Sequence, residues 1–125
     1  MMKLDSLRLD ESAVNRLRTL KRRTGIDTRN VLCRWALCIS LAEDSSPRTN
    51  SVGEKKELEI SWDIFAGKAS SIYLGLLVER CKKEELEITR ANLNYVLSQH
   101  VHRGIGYLLS NNAVKDLAGL LRLAA

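Results

Sequence analysis

Aromatic residues are scarce in this chain: two Trp, three Tyr and one Phe make up 5% of its 125 residues. We therefore do not expect a surface that stacks single-stranded bases on aromatic rings. No apolar run approaches the roughly 20 residues that a membrane-spanning helix needs. The first residues, Met1–Asp5, lack the apolar core of a secretory signal. These absences predict a cytoplasmic protein that has no membrane partner.

Cysteine is also sparse, and its count is odd. Cys33, Cys38 and Cys81 lie among apolar residues, which predicts buried free thiols. Cys33 and Cys38 have no second Cys/His pair at zinc spacing, so we expect no metal site and no cofactor. The nearby cations Arg80, Lys82 and Lys83 predict a lowered pKa for the thiol of Cys81. No nearby residue in the sequence clearly supplies the base that a catalytic thiol needs, so no catalytic residue is assigned.

Positive charge is concentrated at the amino-terminal end. Residues 1–34 hold nine Lys/Arg and four Asp/Glu, whereas residues 35–125 hold eleven of each, so the first quarter carries the whole formal charge of +5. Such a local excess indicates a polyanionic partner, and we expect DNA phosphates. The candidate DNA-binding residues are Arg16, Arg18, Lys21, Arg22, Arg23, Gly25 and Arg34, with Gly25 allowing the backbone to approach a phosphate. The alternative is a solvated helix face whose charges pair with acids elsewhere.

The apolar periodicity predicts one compact, mainly helical domain over residues 1–125. One or two short strands are expected near residues 7–10 and 57–64, and an exposed loop at about 43–56. The first helix is expected to begin after Asp10 or Ser12 and to end at Gly25 in a left-handed conformation. In the next helix, apolar residues from Val31 to Leu41 cover most of the circumference. That pattern predicts burial nearly all round and favours an oligomer interface.

Three further helices follow in the sequence. One is predicted from Ser70 or Ser71 to about Lys83, one is capped by Thr89, and the last is capped by Asn111 or Asn112. The residues predicted to face inward are Ile72, Leu76, Leu77 and Cys81 in the first of these, and Val114, Leu117, Leu120 and Leu121 in the last.

Two histidines and two glycines stand out in the helix that follows Thr89. His100 and His102 are two positions apart on a helix and diverge by about 200°, so they do not converge on one metal ion. We expect one of them to pack in the core and the other to meet solvent or phosphate. Gly104 and Gly106 match only a fragment of a phosphate-binding loop, because the Gly-Lys-Ser/Thr that completes such a loop is missing. The two glycines instead predict close helix packing at a bend.

One other function remains open from the residues alone. A strand at Leu7–Asp10 followed by two helices is typical of a ribbon-helix-helix transcriptional regulator. That strand offers only Arg8 as a good base-reading side chain, and the fold requires a dimer through the strand.

Four segments together resemble the DndE family of the bacterial DNA phosphorothioation system. They are Leu20–Ile26, Asn30–Cys38, Ile72–Leu77 and His100–Leu108, in the family's order. The most specific parts are Lys-Arg-Arg-Thr-Gly, at 21–25, and His-Val-His-Arg-Gly-Ile-Gly-Tyr-Leu, at 100–108.

The resemblance implies a function that composition alone does not give. It implies a non-catalytic component of a system that replaces a non-bridging phosphate oxygen of DNA with sulfur. Such a component binds nicked double-stranded DNA as a homotetramer, and other proteins of the pathway are its partners. The family's basic segment corresponds here to Lys21, Arg22 and Arg23. A proposed nicking activity in the family leaves an alternative open, a DNA nickase or sulfur-transfer enzyme that uses Cys81 or a His/Asp pair.

Overall fold

The computed structural model describes residues 3–47, 55–110 and 113–124, and these residues are mainly helical. In chain order the elements are β1 (Ser6–Leu9), α1 (Glu11–Thr24), α2 (Arg29–Leu41), β2 (Leu58–Ser61), α3 (Trp62–Ala66), a 3-10 turn (Gly67–Ala69), α4 (Ser70–Lys83), α5 (Arg90–Leu109) and α6 (Leu117–Arg122). The predicted class, helical with one or two short strands, is confirmed. Within the described ranges, no helix combines the length and the apolar composition that crossing a membrane would require.

The two strands form a small antiparallel sheet. Leu7 pairs with Ile60 and Leu9 pairs with Leu58. Leu7 and Leu9 are fully buried, whereas Arg8, between them, points outward. This alternation agrees with the predicted amino-terminal strand, since successive side chains of a strand face opposite sides. The sheet therefore places one apolar face on the core and leaves a polar face in solvent.

The second strand is shorter than the predicted extended segment at 57–64. It ends at Ser61, whose hydroxyl accepts a hydrogen bond from the amide of Ile64 at 3.3 Å and caps α3. Trp62 and Phe65, three residues apart, are buried, whereas Ile64 is 61% exposed. The prediction is wrong for residues 62–64, because the cap and the core contacts at helical spacing replace the alternation of a strand.

Helix α1 begins and ends as its sequence predicts. The Asp10 carboxylate accepts from the amide of Ala13 at 2.8 Å. At the other end Gly25 has a φ of 75°, and its amide donates to the carbonyl of Lys21 at 2.9 Å. A left-handed residue at this position favours glycine. One side of α1 packs on the core through Ala13, Val14, Leu17 and Leu20.

Helices α2 and α5 cross closely at the centre of the fold. An ideal Cβ placed on Gly104 would lie 1.8 Å from the carbonyl oxygen of Ala36 and 2.4 Å from its carbonyl carbon. Since no side-chain atom fits there, glycine is what allows the two backbones to approach. The predicted close packing is thus confirmed at Gly104. At Gly106 the nearest atom is only the flexible end of Arg16, at 3.4 Å.

Burial of α2 is less complete than its sequence predicts. Leu32, Ala36 and Leu37 are buried, but Cys38 is exposed and Val31 is half-buried. The single chain therefore does not bury α2 all round, and the oligomer interface predicted for it stays a prediction; Cys38, predicted to be buried, is exposed in this chain. The reason is that α5 covers one side of α2 only, so an apolar sequence does not by itself set how many neighbours a helix has.

Helix α4 differs from its predicted orientation. Leu77 and Cys81 are buried as predicted, but Ile72 is 66% exposed and Leu76 is 41% exposed. The helix begins at Ser70 directly after the 3-10 turn, so neither Ser70 nor Ser71 acts as a cap. An apolar face of α4 is therefore left without a partner in the described part of the chain.

The last helix starts later than predicted. Asp116 caps α6 by accepting from the amide of Gly119 at 2.8 Å. The predicted caps Asn111 and Asn112 lie outside the described residues. Within α6, Leu120 is buried, whereas Leu117 and Leu121 are 44% and 56% exposed. Their predicted inward orientation is wrong. The predicted loop at 43–56 is described at residues 43–47 and 55–56 only.

Candidate nucleic-acid interface

Three cations, Arg18, Lys21 and Arg22, lie exposed along the side of α1 that faces away from the core; we call them the basic surface. Arg18 Nη1 donates to Asn15 Oδ1 at 2.8 Å, and Arg22 Nη2 donates to Thr19 Oγ1 at 3.4 Å. Both acceptors are neutral and lie on the same helix. These bonds orient the guanidinium groups without cancelling their charge.

Carboxylates do little to neutralise α1. Lys21 lies 3.8 Å from the carboxylate of Asp27, which is 88% exposed, so the pair is weak. In the described ranges, no other carboxylate lies within 4 Å of the cations on this helix. The alternative in which these charges pair with acids elsewhere is not observed there.

Arg16 and Arg23 leave α1 in another direction. Arg23 is half-buried and donates to the carbonyl of Val114 at 3.2 Å, which ties α1 to the segment before α6. Arg16 extends toward α5, where its Nη1 lies 3.4 Å from the position of a Cβ on Gly106. Arg16 and Arg18 are about 160° apart around the helix axis. The structure therefore divides the predicted set of cations between two sides of α1.

The remaining predicted site residues, Arg34 and Gly25, have packing contacts. Arg34 Nε donates to the carbonyl of Phe65 at 2.5 Å and its Nη2 donates to that of Ile64 at 3.2 Å, so Arg34 joins α2 to α3. The amide of Gly25 is already used in the cap of α1. In the described structure Arg34 has no contact with the basic surface, and Gly25 meets it through the backbone bond to Lys21 that caps α1.

A cleft of about 840 Å³ lies between the start of α1 and the second half of α5. Its polar lining includes Ser12, Arg16, Gln99, His102, Tyr107 and Ser110, and the segment at 45–47 also contributes. Sequence reasoning assigned Arg16 to DNA and expected one histidine to meet solvent or phosphate, but it missed the cleft. The available signal was the spacing of 99, 102, 106 and 110, which places those residues on one face of a helix.

His102 is fixed at the cleft by two backbone groups. Its Nδ1 lies 2.7 Å from the carbonyl oxygen of Ser98, and its Nε2 lies 3.3 Å from the amide of Asp10. Because an amide only donates, Nε2 accepts and Nδ1 carries the proton that the carbonyl of Ser98 receives. His102 thus links α5 to the start of α1.

Two arginines hold the carboxyl end of α2. Arg103 donates to the carbonyls of Ser40 at 2.8 Å and Ser45 at 2.7 Å. Arg80, which is buried, donates to the carbonyls of Leu41 and Glu43. Cations suit this position, since the last carbonyls of a helix lack partners and carry partial negative charge. The arginines thereby fix the chain that leads into the wall of the cleft.

His100 belongs to the same buried cluster and not to the cleft. It is fully buried, with Nδ1 2.7 Å from Ser40 Oγ and Nε2 2.8 Å from Glu84 Oε2. Burial lowers the pKa of His100, and the nearby Glu84 carboxylate opposes this shift. The predicted divergence of the two histidines is therefore observed, because His100 and His102 contact different elements.

Cys81 does not have the environment of a reactive thiol. It is buried, and burial, followed by the nearby Glu84 carboxylate, raises its pKa. The predicted lowering of that pKa is wrong, because desolvation outweighs the cations that neighbour Cys81 in the sequence. In the part of the chain that the structure describes, His, Cys, Asp and Glu side chains form no group of three or more suited to a metal ion.

Comparison with known proteins identifies the family. A family model described as DNA sulphur modification protein DndE matches residues 6–116, which is most of the chain. The chain belongs to the DndE family. No curated protein matches it. Among solved structures, DndE from Escherichia coli B7A, described as involved in DNA phosphorothioation modification, matches with a TM-score of 0.70. It is 23% identical, and the match covers 86% of this chain and 99% of that one, which supports the fold.

Membership of the DndE family confirms the resemblance and makes the chain a component of the DNA phosphorothioation system. The ribbon-helix-helix alternative has no support in the sheet. In the described structure β1 pairs with β2 of the same chain. The outward residue Arg8 faces Glu59 at 3.9 Å and is not one of a row of base-reading side chains.

Proposed function

We propose that this DndE-family chain is a non-catalytic component that binds nicked double-stranded DNA through its backbone phosphates. The observation that carries the proposal is the basic surface, three exposed cations on one helix with a single weak carboxylate contact. Contacts to phosphate position a protein on DNA without reading its sequence, so binding should be blind to sequence.

The basic surface is compact. Arg18 and Arg22 are four residues apart and lie on the same side of α1, and Lys21 lies beside them. About one turn of α1 therefore presents three cations to a phosphate backbone.

Charge reversal tests this role. Lys21→Glu with Arg22→Glu should weaken binding to nicked duplex at least tenfold and make the log–log salt dependence shallower by about 2, since each phosphate contact contributes about 0.9. The matched control is Lys68→Glu with Lys82→Glu, which changes the net charge equally at exposed positions outside α1. Fluorescence anisotropy between 50 and 200 mM salt measures both variants. Equal losses in the two variants would remove α1 from the proposal.

The absence of catalysis is tested separately. Purified chain incubated with supercoiled plasmid and Mg²⁺ or Mn²⁺ should leave the plasmid supercoiled. Relaxed product that disappears when one residue of this chain is substituted would establish an enzyme instead.

We also propose that the chain assembles as a homotetramer, with a second copy covering the exposed face of α4. Ile72 and Leu76 are exposed there, and Gly75 between them has open space around it. This face is apolar and has a single acid, Glu79, so it suits another copy of itself better than DNA. Assembly would bring several basic surfaces to one duplex.

Light scattering tests the assembly. Ile72→Glu should reduce the mass from four chains toward one, whereas the control Leu121→Glu, at a position 56% exposed on α6, should not. A wild-type monomer at micromolar concentration would overturn the tetramer. A tetramer that persists in Ile72→Glu would exclude the face of α4.

A further inference from the structure

We infer that the cleft between α1 and α5 receives the terminal phosphate of a DNA strand at a nick, and that Arg16 binds this phosphate. The inference rests on the proposed function, because it takes nicked duplex as the ligand. Beyond that function, the cleft would be the part of the chain that distinguishes a nick from intact DNA, and a terminal phosphate would be the chemical group that it recognises.

The size of the cleft favours the end of a DNA strand over a continuous duplex. Its volume of about 840 Å³ falls within the range of small-ligand pockets, roughly 300–1,000 Å³, which suits a nucleotide. A continuous duplex lies against a convex surface such as that of Arg18 and Arg22 and does not enter a pocket of this size. A nick supplies what the cleft can admit, a strand end whose phosphate is no longer held between two sugars.

Among the side chains that line the cleft, Arg16 is the one best placed to bind an anion. In the part of the chain that the structure describes, it has no hydrogen bond and no carboxylate within 4 Å. Its guanidinium lies over α5 beside Gly106, with Nη1 3.4 Å from the position that a Cβ would occupy. A guanidinium group forms paired hydrogen bonds with phosphate oxygens. Ser12, on the first turn of α1, lines the same cleft and offers a hydroxyl donor.

The electrostatics of the cleft favour an anion. Its lining contains two arginines, Arg16 and Arg103, against one acid, Asp10, so these three residues give a formal charge of +1. The Asp10 carboxylate accepts from the amide of Ala13 at 2.8 Å, and the same Oδ1 lies 3.7 Å from Nε2 of His102. Arg103 bonds only neutral acceptors and lies 5.5 Å from the centre of the Tyr107 ring, so its charge is retained.

The test compares four duplexes of one sequence: intact, nicked with a 5′-phosphate, nicked with a 3′-phosphate, and nicked with hydroxyls on both ends. Wild-type chain should bind one phosphorylated nick about tenfold more tightly than the hydroxyl nick, the size expected for a charge-assisted hydrogen bond. Arg16→Gln should abolish this ratio. Arg18→Gln, the matched control on the other side of α1, should weaken binding to all four duplexes and keep the ratio.

The outcomes separate this inference from the proposed function. Equal affinity of wild-type chain for phosphorylated and hydroxyl nicks would overturn the inference while leaving duplex binding intact. A ratio that survives in Arg16→Gln, or one that is lost equally in Arg18→Gln, would also overturn it. Failure to bind any duplex would instead overturn the proposed function. Both arginines are exposed, so both variants should fold like the wild type.

Discussion

Replacing Gly104 by Ala should be among the most damaging single-methyl changes in this chain. The added Cβ would lie 1.8 Å from the carbonyl oxygen of Ala36, with the carbonyl carbon and Cα of the same residue at 2.4 and 2.7 Å. All three are backbone atoms of α2, so rotating a side chain gives no relief. The two helices must separate for the methyl group to fit.

The size of the effect follows from that separation. Restoring an ordinary contact requires a shift of roughly 1.5 Å, and a gap of 0.5–1 Å already loses a quarter to a half of a dispersion contact. The fully buried Leu37 and Val101 lie on the two helices that would move apart. We expect a cost of about 3–5 kcal/mol, at or above the upper end of ordinary overpacking. The higher helix propensity of Ala returns only about 1 kcal/mol.

Thermal and urea unfolding measure this loss. At roughly 4 °C per kcal/mol for a chain of this size, the melting temperature should fall by about 12–20 °C. Gly106→Ala is the control, because its nearest neighbour is the mobile end of Arg16 at 3.4 Å. It should leave stability unchanged or raise it by up to about 1 kcal/mol. A loss below 1 kcal/mol for Gly104→Ala would refute the close crossing of α2 and α5.

Two further predictions concern buried titratable groups. In the native chain, iodoacetamide at pH 8 should alkylate Cys38 well before Cys33 and Cys81. Those two thiols are buried, and burial raises the pKa of Cys33 to about 12. Equally fast alkylation of Cys33, measured by mass spectrometry, would contradict this prediction. Stability should decrease as the pH falls below about 6.5, because burial lowers the pKa of folded His100 and the unfolded chain then binds the extra proton. His100→Gln should flatten that part of the pH profile of the melting temperature, and an unchanged slope would contradict the assignment.

The sequence predicts the features of this fold that depend on neighbouring residues. Asp10 and Thr89 cap the helices that follow them, and Gly25 ends α1 in the left-handed conformation. Each result depends on a bond between residues within four positions, which a sequence pattern contains directly. The mistakes at Cys38 and Ile72 are of another kind, since the exposure of an apolar residue depends on whether a distant element covers it.

The same division applies to the candidate site. The excess of positive charge over the first 34 residues is visible in the sequence, and so is the angle between Arg16 and Arg18 on α1. The sequence does not show which element packs beside each of these two arginines. Only the packing of α5 against α1 places Arg16 in a cleft and leaves Arg18 on an open surface. One row of cations thus divides into two different environments.

The two most specific segments of the sequence, at 21–25 and at 100–108, have different structural roles. In the segment at 100–108, His100 contacts Glu84, His102 contacts the amide of Asp10, and Gly104 contacts the backbone of α2. Each of these contacts joins α5 to another element, so the residue pattern reflects assembly of the fold. In the segment at 21–25, Arg23 bonds Val114 and Gly25 caps the helix, whereas Lys21 and Arg22 remain exposed. Substitutions at Lys21 and Arg22 should therefore change DNA affinity at nearly constant stability, whereas those at 100–104 should act through stability first.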